Sequence, residues 1–423
     1  MFGDEQSEVL VVGAGPVGLF TAVRLAEAGI RVAVVDEEWR TAAHSYACAL
    51  HPRTLRLLQQ QGLVESVLQA GHCLETIGLY DAQGRQAELR LTDLPGPFPF
   101  LVVLPQSTLE GLLEQRLQQR SGVRVHWNHR LSDLHLEGES VAATIDKLGG
   151  TGTGYVVPRW EWVVKRRHQT RATYVVGADG RDSLVRRRLG LECERSAPPE
   201  VFAVYEFESD GAADHELRIV LLPDSTNALW PLPNGRYRWA FQTAPVAAGG
   251  EFPAKDRRPV RFYEETEDQV TKDQIQRRVR ERAPWFDHKT GDLDWSIEVQ
   301  FDHRLVRQFG QGHAWLAGDA AHQAGPVGMQ SMNLGLLEAE ELAVRLIRLL
   351  RQRAAPDLLA SYDAARRQDW RFFLGLEGGL RPTGRTTPWV KEQLPRLLPC
   401  LPASGDDLRG LVSQLGLEVV EAR

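Results

Sequence analysis

The feature that most restricts this chain is the turn Gly13-Ala14-Gly15-Pro16-Val17-Gly18, which directly follows the apolar run Glu8-Val9-Leu10-Val11-Val12. A continuous apolar run of this kind reads as a buried parallel strand. Residues Leu19–Ala28 read as a helix stopped by Gly29, and Arg31–Val35 as a second strand. Within the turn, Gly13 permits the tight bend, Gly15 lets a pyrophosphate approach the backbone, and Gly18 allows close helix–strand packing. The helix start adds free N–H groups and the positive end of the helix dipole. Asp36, followed by Glu37, closes the second strand, where a carboxylate can take both hydroxyls of a ribose. Together these residues predict a dinucleotide site.

Two later segments repeat the strand-then-turn pattern. Tyr174-Val175-Val176-Gly177 leads into Ala178-Asp179-Gly180, so Asp179 is expected at the carboxyl end of a strand, facing a cleft. Ala314–Ala317 leads into Gly318-Asp319-Ala320-Ala321-His322, and Asp319 suits a polyol hydroxyl. The following turn, Pro326-Val327-Gly328-Met329-Gln330-Ser331-Met332-Asn333, opens a long helix over Leu334–Leu350 whose positive end can stabilise a reduced, anionic ring. His322 reads as a hydrogen-bonded core histidine rather than a catalytic one.

With 423 residues the chain is too long for one ordinary core, so two packed domains are expected. The text is α/β at first, strand-rich from about 201 to 243, and α/β again after Ala314. That order predicts one domain interrupted by another. Gly149–Gly154 reads as a mobile loop, and Trp160-Glu161-Trp162 as an amphipathic strand rather than a halogenase signature. Arg186-Arg187-Arg188 and Lys165-Arg166-Arg167 read as solvated faces. The net charge of −6 argues against nucleic-acid and anionic-membrane partners, and no apolar run is long enough to span a bilayer. Cys48, Cys73, Cys193 and Cys400 have no paired spacing, which predicts a reducing compartment and no metal site. The acidic first residues do not read as a signal peptide, so cytoplasmic is the expectation.

Taken in order, the three segments resemble the class A flavin monooxygenases, the para-hydroxybenzoate hydroxylase family, over roughly residues 8–370. The resemblance implies an α/β fold: a Rossmann-like FAD-binding domain of the glutathione-reductase type, an inserted, mostly antiparallel β-sheet substrate domain, and a C-terminal helical segment. The expected division is FAD domain 1–71, 102–192 and 296–350, substrate domain 72–101 and 193–295, and a helical region 351–423. It implies FAD as cofactor, NADPH or NADH as reductant and O2 as co-substrate, with one oxygen atom passed through a flavin C4a-hydroperoxide to an aromatic or polycyclic molecule. By the same resemblance Gly13, Ala14, Gly15, Pro16, Val17, Gly18, Asp36 and Glu37 hold the ADP half. Gln106 contacts the flavin, Asp179 serves FAD and the reductant, Gly318-Asp319 takes the ribityl chain, and Pro326, Gly328, Met329, Gln330, Ser331, Met332 and Asn333 lie beneath the ring.

This chain departs from that pattern at several positions. Tyr46 stands where the family often carries an arginine on the reductant's route, Met329 and Ser331 replace two glycines of the flavin loop, and His313 replaces a frequent arginine. Aromatic residues Tyr205, Phe207, Trp230, Trp239 and Phe241 are expected to line a pocket for a flat substrate. A flavin-dependent reductase of the same fold and a flavin-binding protein without turnover stay open as alternatives, and the assembly is expected to be a monomer or homodimer. Leu408, Leu411, Val412, Leu415 and Leu417 suggest an amphipathic helix packed on its own chain, capped by Ser404.

Overall fold

The computed structural model describes residues 7–40, 47–120, 123–153, 159–209, 214–243, 260–262, 268–287 and 290–421. The helices are α1 (Pro16–Glu27), α2 (Pro52–Gln60), α3 (Val64–Ala70), α4 (Gln106–Gln118), α5 (Leu184–Arg188), α6 (Asp268–Arg282), α7 (Gln330–Gln352), α8 (Asp357–Phe373), α9 (Pro388–Cys400) and α10 (Gly405–Gln414).

The first large sheet runs in the order Gly310–Gln311, Ala314–Leu316, Arg159–Gly177, Ser7–Val12, Val32–Val35, Val125–His126. Its four central strands are parallel, and their apolar side chains are buried on both faces, which is why they read as unbroken apolar runs. Helix α1 starts at Pro16, earlier than the sequence reading, because proline suits the first helical position. α1 packs on α7 and α4, so the first and last α/β segments share one core.

The second sheet is mostly antiparallel, ordered Val260–Phe262, Thr290–Val306, Cys193–Ser209, Arg236–Thr243, Ser225–Leu232, Glu216–Leu222, Thr76–Asp81, Gly84–Arg90. One face shares a buried core with the first sheet, through Phe202, Val204, Leu217, Ile219 and Trp230. The other carries a separate core, in which Ile275 and Val279 of α6 meet Tyr205, Phe207, Trp239 and Phe241. The strand Thr290–Val306 stays in this sheet along its whole length, so the expected boundary at 295 falls inside a strand.

Gly149–Thr153 is not a loop. It extends the strand Ser140–Thr153, which pairs with Arg159–Gly177 in a long hairpin; Gly150 lies opposite Trp162. Glycine lacks a side chain to pack but still supplies its N–H and C=O to the ladder. Gly154 lies outside the described residues. Arg187, Arg188 and Lys165-Arg166-Arg167 are exposed, whereas Arg186 is buried.

The C-terminal region contains more than helices: Gly379–Pro382 pairs with Leu417–Val420. Leu408, Leu411, Val412, Leu415 and Leu417 are buried against their own chain. Ser404 occupies the N-cap of α10 but its side chain makes no capping bond.

Candidate active site

The parallel strands end in step. Val12 pairs with Val35 on one side and Gly177 on the other, and Gly177 pairs with Leu316. The turns that follow, carrying Gly13, Asp36, Asp179 and Asp319, are therefore brought to one edge of the sheet, where ligands of open α/β sheets bind. Gly13 has φ +104, and an added Cβ would collide with the Ala178 carbonyl. A Cβ on Gly18 would collide with the Gly13 carbonyl. Gly15 differs: nothing lies within 4 Å of the place a Cβ would take, because that side opens on a cavity.

Asp36 accepts the Ala14 N–H at 2.5 Å and the Glu38 N–H at 2.8 Å, which fixes the first turn against the second strand. Beside it, burial pushes the Glu37 carboxyl up; Arg130 opposes the rise, and the carboxylates of Asp36, Glu38 and Asp179 add to it. Asp179 organises the start of α5, accepting from Ser183 Oγ at 2.6 Å and the Leu184 N–H at 2.7 Å. Burial raises its pKa against the effect of those bonds.

Two residues tie the turns together: Arg186, which the sequence reading placed on a solvated face, and Glu338, which it did not single out. Arg186 donates to the Ala320 carbonyl at 2.7 Å and the Arg181 carbonyl at 2.9 Å, joining the Asp179 turn to the Asp319 turn. Glu338 of α7, fully buried, accepts the Gly318 N–H at 2.9 Å, His322 Nε2 at 2.8 Å and Trp370 Nε1 at 2.6 Å. Burial would raise the Glu338 pKa, but the charge and hydrogen bond of His322 hold it below the ordinary range. His322 is thus a core histidine, stacked on Trp370 at 3.7 Å between ring centroids. Spacing on α7 places Glu338 on its inner face, but nothing in the sequence sets it apart from Glu340 and Glu341 of the same helix.

The loop before α7 divides into residues that face the cavity and residues behind it. Pro326, Met329, Ser331 and Met332 line the cavity, together with Gly15, Pro16, Val17, Gln106 and Asp319. Gly328, Gln330 and Asn333 do not line it. Gln330 Nε2 donates to the Leu401 carbonyl at 2.6 Å and the Ala403 carbonyl at 3.1 Å. The Gly328 carbonyl accepts from His51 Nε2 at 3.0 Å, and a Cβ at Gly328 would run into Pro399. Burial lowers the His51 pKa to about 3, so its ring is neutral and donates through Nε2. Asn333 accepts the His51 N–H and the Thr54 hydroxyl, each at 2.8 Å, and donates to Ala49 at 2.9 Å. Ser331 Oγ closes the turn on the Ala324 N–H at 3.3 Å.

Neither α1 nor α7 has a side-chain cap at its N-terminus, and both begin at the same cavity. Their unpaired N–H groups and dipoles favour negative charge there. The cavity continues past Gly15, Ala178 and Gly180 into a second one lined by Asp36, Glu37, Asp179 and Arg130. An elongated molecule with a ribose at one end and anionic groups along its length fits this run, and the space beside Gly15 is what its phosphates need. On its other side the cavity shares Gly325 and Pro326 with a third, of about 420 Å³, between the second sheet and the C-terminal region.

That third cavity is not lined by the expected aromatic residues. Tyr205, Phe207, Trp239 and Phe241 point to the α6 side, where Trp239 stacks on Phe241 at 4.8 Å and Arg278 of α6 donates to the Tyr205 hydroxyl at 2.8 Å. Trp230 is on the opposite face, buried in the main core. The cavity wall uses the alternate residues of the same strands: Glu200, Phe202, Thr226 and Gln242, with Val327, Phe373 and Leu398. Residues 201–207 are buried on both faces, so the apolar pattern carried no parity signal. Cys400 also lines this cavity, and burial pushes its thiol up to about 12, so it is not a nucleophile. His313 is remote, donating through Nδ1 to the Thr173 carbonyl at 2.8 Å. Tyr46 lies outside the described residues.

Comparison with known proteins supplies the context. Residues 6–371 match the family described as FAD binding domain. The chain is 30% identical over 363 residues to 6-methylpretetramide 4-monooxygenase of Streptomyces rimosus, covering 85% of this chain and 59% of that protein. It is 26% identical over 404 residues to para-nitrophenol 4-monooxygenase of Pseudomonas sp. (strain WBC-3), covering 92% and 88% respectively. Among solved structures, p-nitrophenol 4-monooxygenase of Pseudomonas putida DLL-E4 superposes with a TM-score of 0.71 at 23% identity, covering 86% of this chain and 85% of that one. At that identity the likeness concerns the fold. The chain spans less than two thirds of the length of some of the relatives it matches.

Proposed function

The chain belongs to the family of FAD-binding domains, and on that premise we propose that it is a monooxygenase that consumes NADPH or NADH and O2 to hydroxylate an aromatic or polycyclic small molecule. The observation that carries this reading is the run of three cavities, in which the inner end of the dinucleotide space meets, at Gly325 and Pro326, a chamber lined by both apolar and polar side chains.

The acids Asp36, Glu37 and Glu38 around the ribose end suit free hydroxyls and oppose an added phosphate, which favours FAD over a phosphorylated nicotinamide dinucleotide there. Gly15 leaves room for the pyrophosphate, α1 and α7 present uncapped N–H groups, and Gln106 and Asp319 flank the inner stretch. FAD held there would supply the redox chemistry, hydride uptake from the reductant and oxygen activation. The chain's part is to hold negative charge at the start of α7, to orient a flat substrate against Phe202, Val327 and Phe373, and to keep water out with α9. Relatives named for pretetramide and nitrophenol oxygenation support the substrate class. Cytoplasmic action as a monomer or homodimer belongs to the same reading. Among the described residues no helix is long and apolar enough to cross a membrane.

The test is to load the purified protein with FAD, follow flavin bleaching by NADPH and NADH, and incubate with phenols and polycyclic phenols under ¹⁸O₂. A product heavier by one labelled oxygen is expected. Bleaching with an altered product but no label would favour a reductase, and flavin that neither reductant bleaches would favour a non-catalytic flavin protein. Asp319→Ala is expected to lose FAD.

A further inference from the structure

The third cavity is lined by polar as well as apolar side chains, and one polar group on its wall is built from three linked residues. His303 Nε2 lies 2.9 Å from Glu200 Oε2, and the other oxygen of Glu200 accepts from Gln242 Nε2 at 2.9 Å. Gln242 is fixed in turn, since its Oε1 accepts the Thr226 N–H at 2.7 Å. A Cβ added to Gly325 would come within 2.9 Å of Glu200 and 3.5 Å of the His303 ring, so the pair sits against the segment shared by the FAD space and the chamber. Both His303 and Glu200 line the chamber.

From this geometry we propose that His303 is the general base that ionises an aromatic hydroxyl of the substrate, with Glu200 as its positioning residue; the inference rests on the function proposed above and specifies its substrate as a phenol. A carboxylate at Nε2 fixes that nitrogen as the N–H donor and leaves Nδ1 as the basic one. The phenolic O–H bond breaks, the proton passes to Nδ1, and the electron pair stays on oxygen. The imidazolium formed is held by Glu200, whose charge Gln242 anchors. The phenolate is richer in electrons at its ring carbons than the phenol, which is what an electrophilic oxygen transfer requires. No oxidant enters this step. Two other charged groups line the chamber, Arg396 and Asp224. Arg396 of α9 donates to the Leu222 carbonyl at 2.5 Å and to Gln393 at 2.7 Å. Asp224 accepts from Ser225 Oγ at 3.4 Å, and the Cys400 thiol stays protonated.

The experiment reads the bound ligand rather than turnover. FAD-loaded wild type, His303→Gln and Glu200→Gln are titrated with 4-nitrophenol, whose two ionisation forms absorb differently, and with 4-nitroanisole, which cannot ionise. FAD occupancy and thermal melting serve as folding controls. Wild type is expected to bind 4-nitrophenol as the phenolate about one pH unit or more below the point where the free phenol ionises. His303→Gln is expected to bind it as the neutral phenol, and Glu200→Gln to lie between the two. A phenolate band retained in FAD-replete His303→Gln, neutral binding by wild type, equal binding of the anisole, or no saturable binding would each overturn the proposal. The monooxygenase reading would survive any of these if labelled oxygen still entered product. Failure to take up FAD would sink that reading first.

Discussion

Asn333 Nδ2 donates to the Met329 carbonyl at 2.8 Å across the first turn of α7, and Met329 stands in the left-handed region at φ +51. A side chain at that φ is uncommon outside glycine and persists where the surroundings hold it. Asn333 does the holding, because its amide makes four bonds at one buried point. We expect Asn333→Ala to cost about 3 kcal/mol, mostly from buried groups left unpaired. Thermal melting of the apoprotein, with FAD titration alongside, measures both the loss and the loosened loop. A variant with unchanged melting and full affinity would show that the loop is fixed by other contacts.

The glycines of the first turn should separate into two kinds. Gly15→Ala has open space before it, so apoprotein melting is expected to be unchanged while FAD affinity falls roughly tenfold or more, from lost phosphate approach. Gly13→Ala meets the Ala178 carbonyl at a positive φ, so the fold itself should weaken by a few kcal/mol. Equal melting losses in both would argue against a phosphate beside Gly15.

His51 makes stability depend on pH on the acid side. Its folded pKa of about 3 lies below the ordinary 6.5, so the unfolded chain binds the extra proton first. Stability from this group is complete above pH 6.5, falls as pH drops, by up to about 1.4 kcal/mol per unit, and levels off below about 3. His51→Gln keeps a donor for Gly328 without titrating. Urea melts between pH 7 and 4 should show a shallower decline for the variant, and parallel curves would contradict the assignment.

Trp239 and Phe202 should behave oppositely. Trp239→Leu opens the core under α6 and is expected to cost about 3 kcal/mol while leaving phenol binding alone. Phe202→Ala removes a chamber wall, so ligand affinity should fall together with stability. Isothermal titration of 4-nitrophenol on both variants gives the comparison; weakened binding in Trp239→Leu would return that face to the substrate side.

Much of this molecule was legible in its sequence, for a local reason. The unbroken apolar runs before Gly13, Ala178 and Gly318, each ending in a turn, read as strands buried on both faces, and Gly13 and Gly18 sit where backbone passes too close for a side chain. Those residues therefore announced the turns and the acids after them, whereas α1 and α7 begin earlier than the sequence reading placed them, at Pro16 and Gln330. Long-range packing decided what no local pattern encodes. Arg186 reads like its exposed neighbours Arg187 and Arg188, yet it bridges two turns, because only the folded chain brings the Ala320 carbonyl to it. Residues 201–207 and 237–241 are buried on both faces of their strands, so their spelling left open which face meets the chamber; the register against Thr290–Val306 and the placement of α6 settled it. The pairing of Glu200 with His303 is of the same kind, two residues far apart in the chain made neighbours by the sheet.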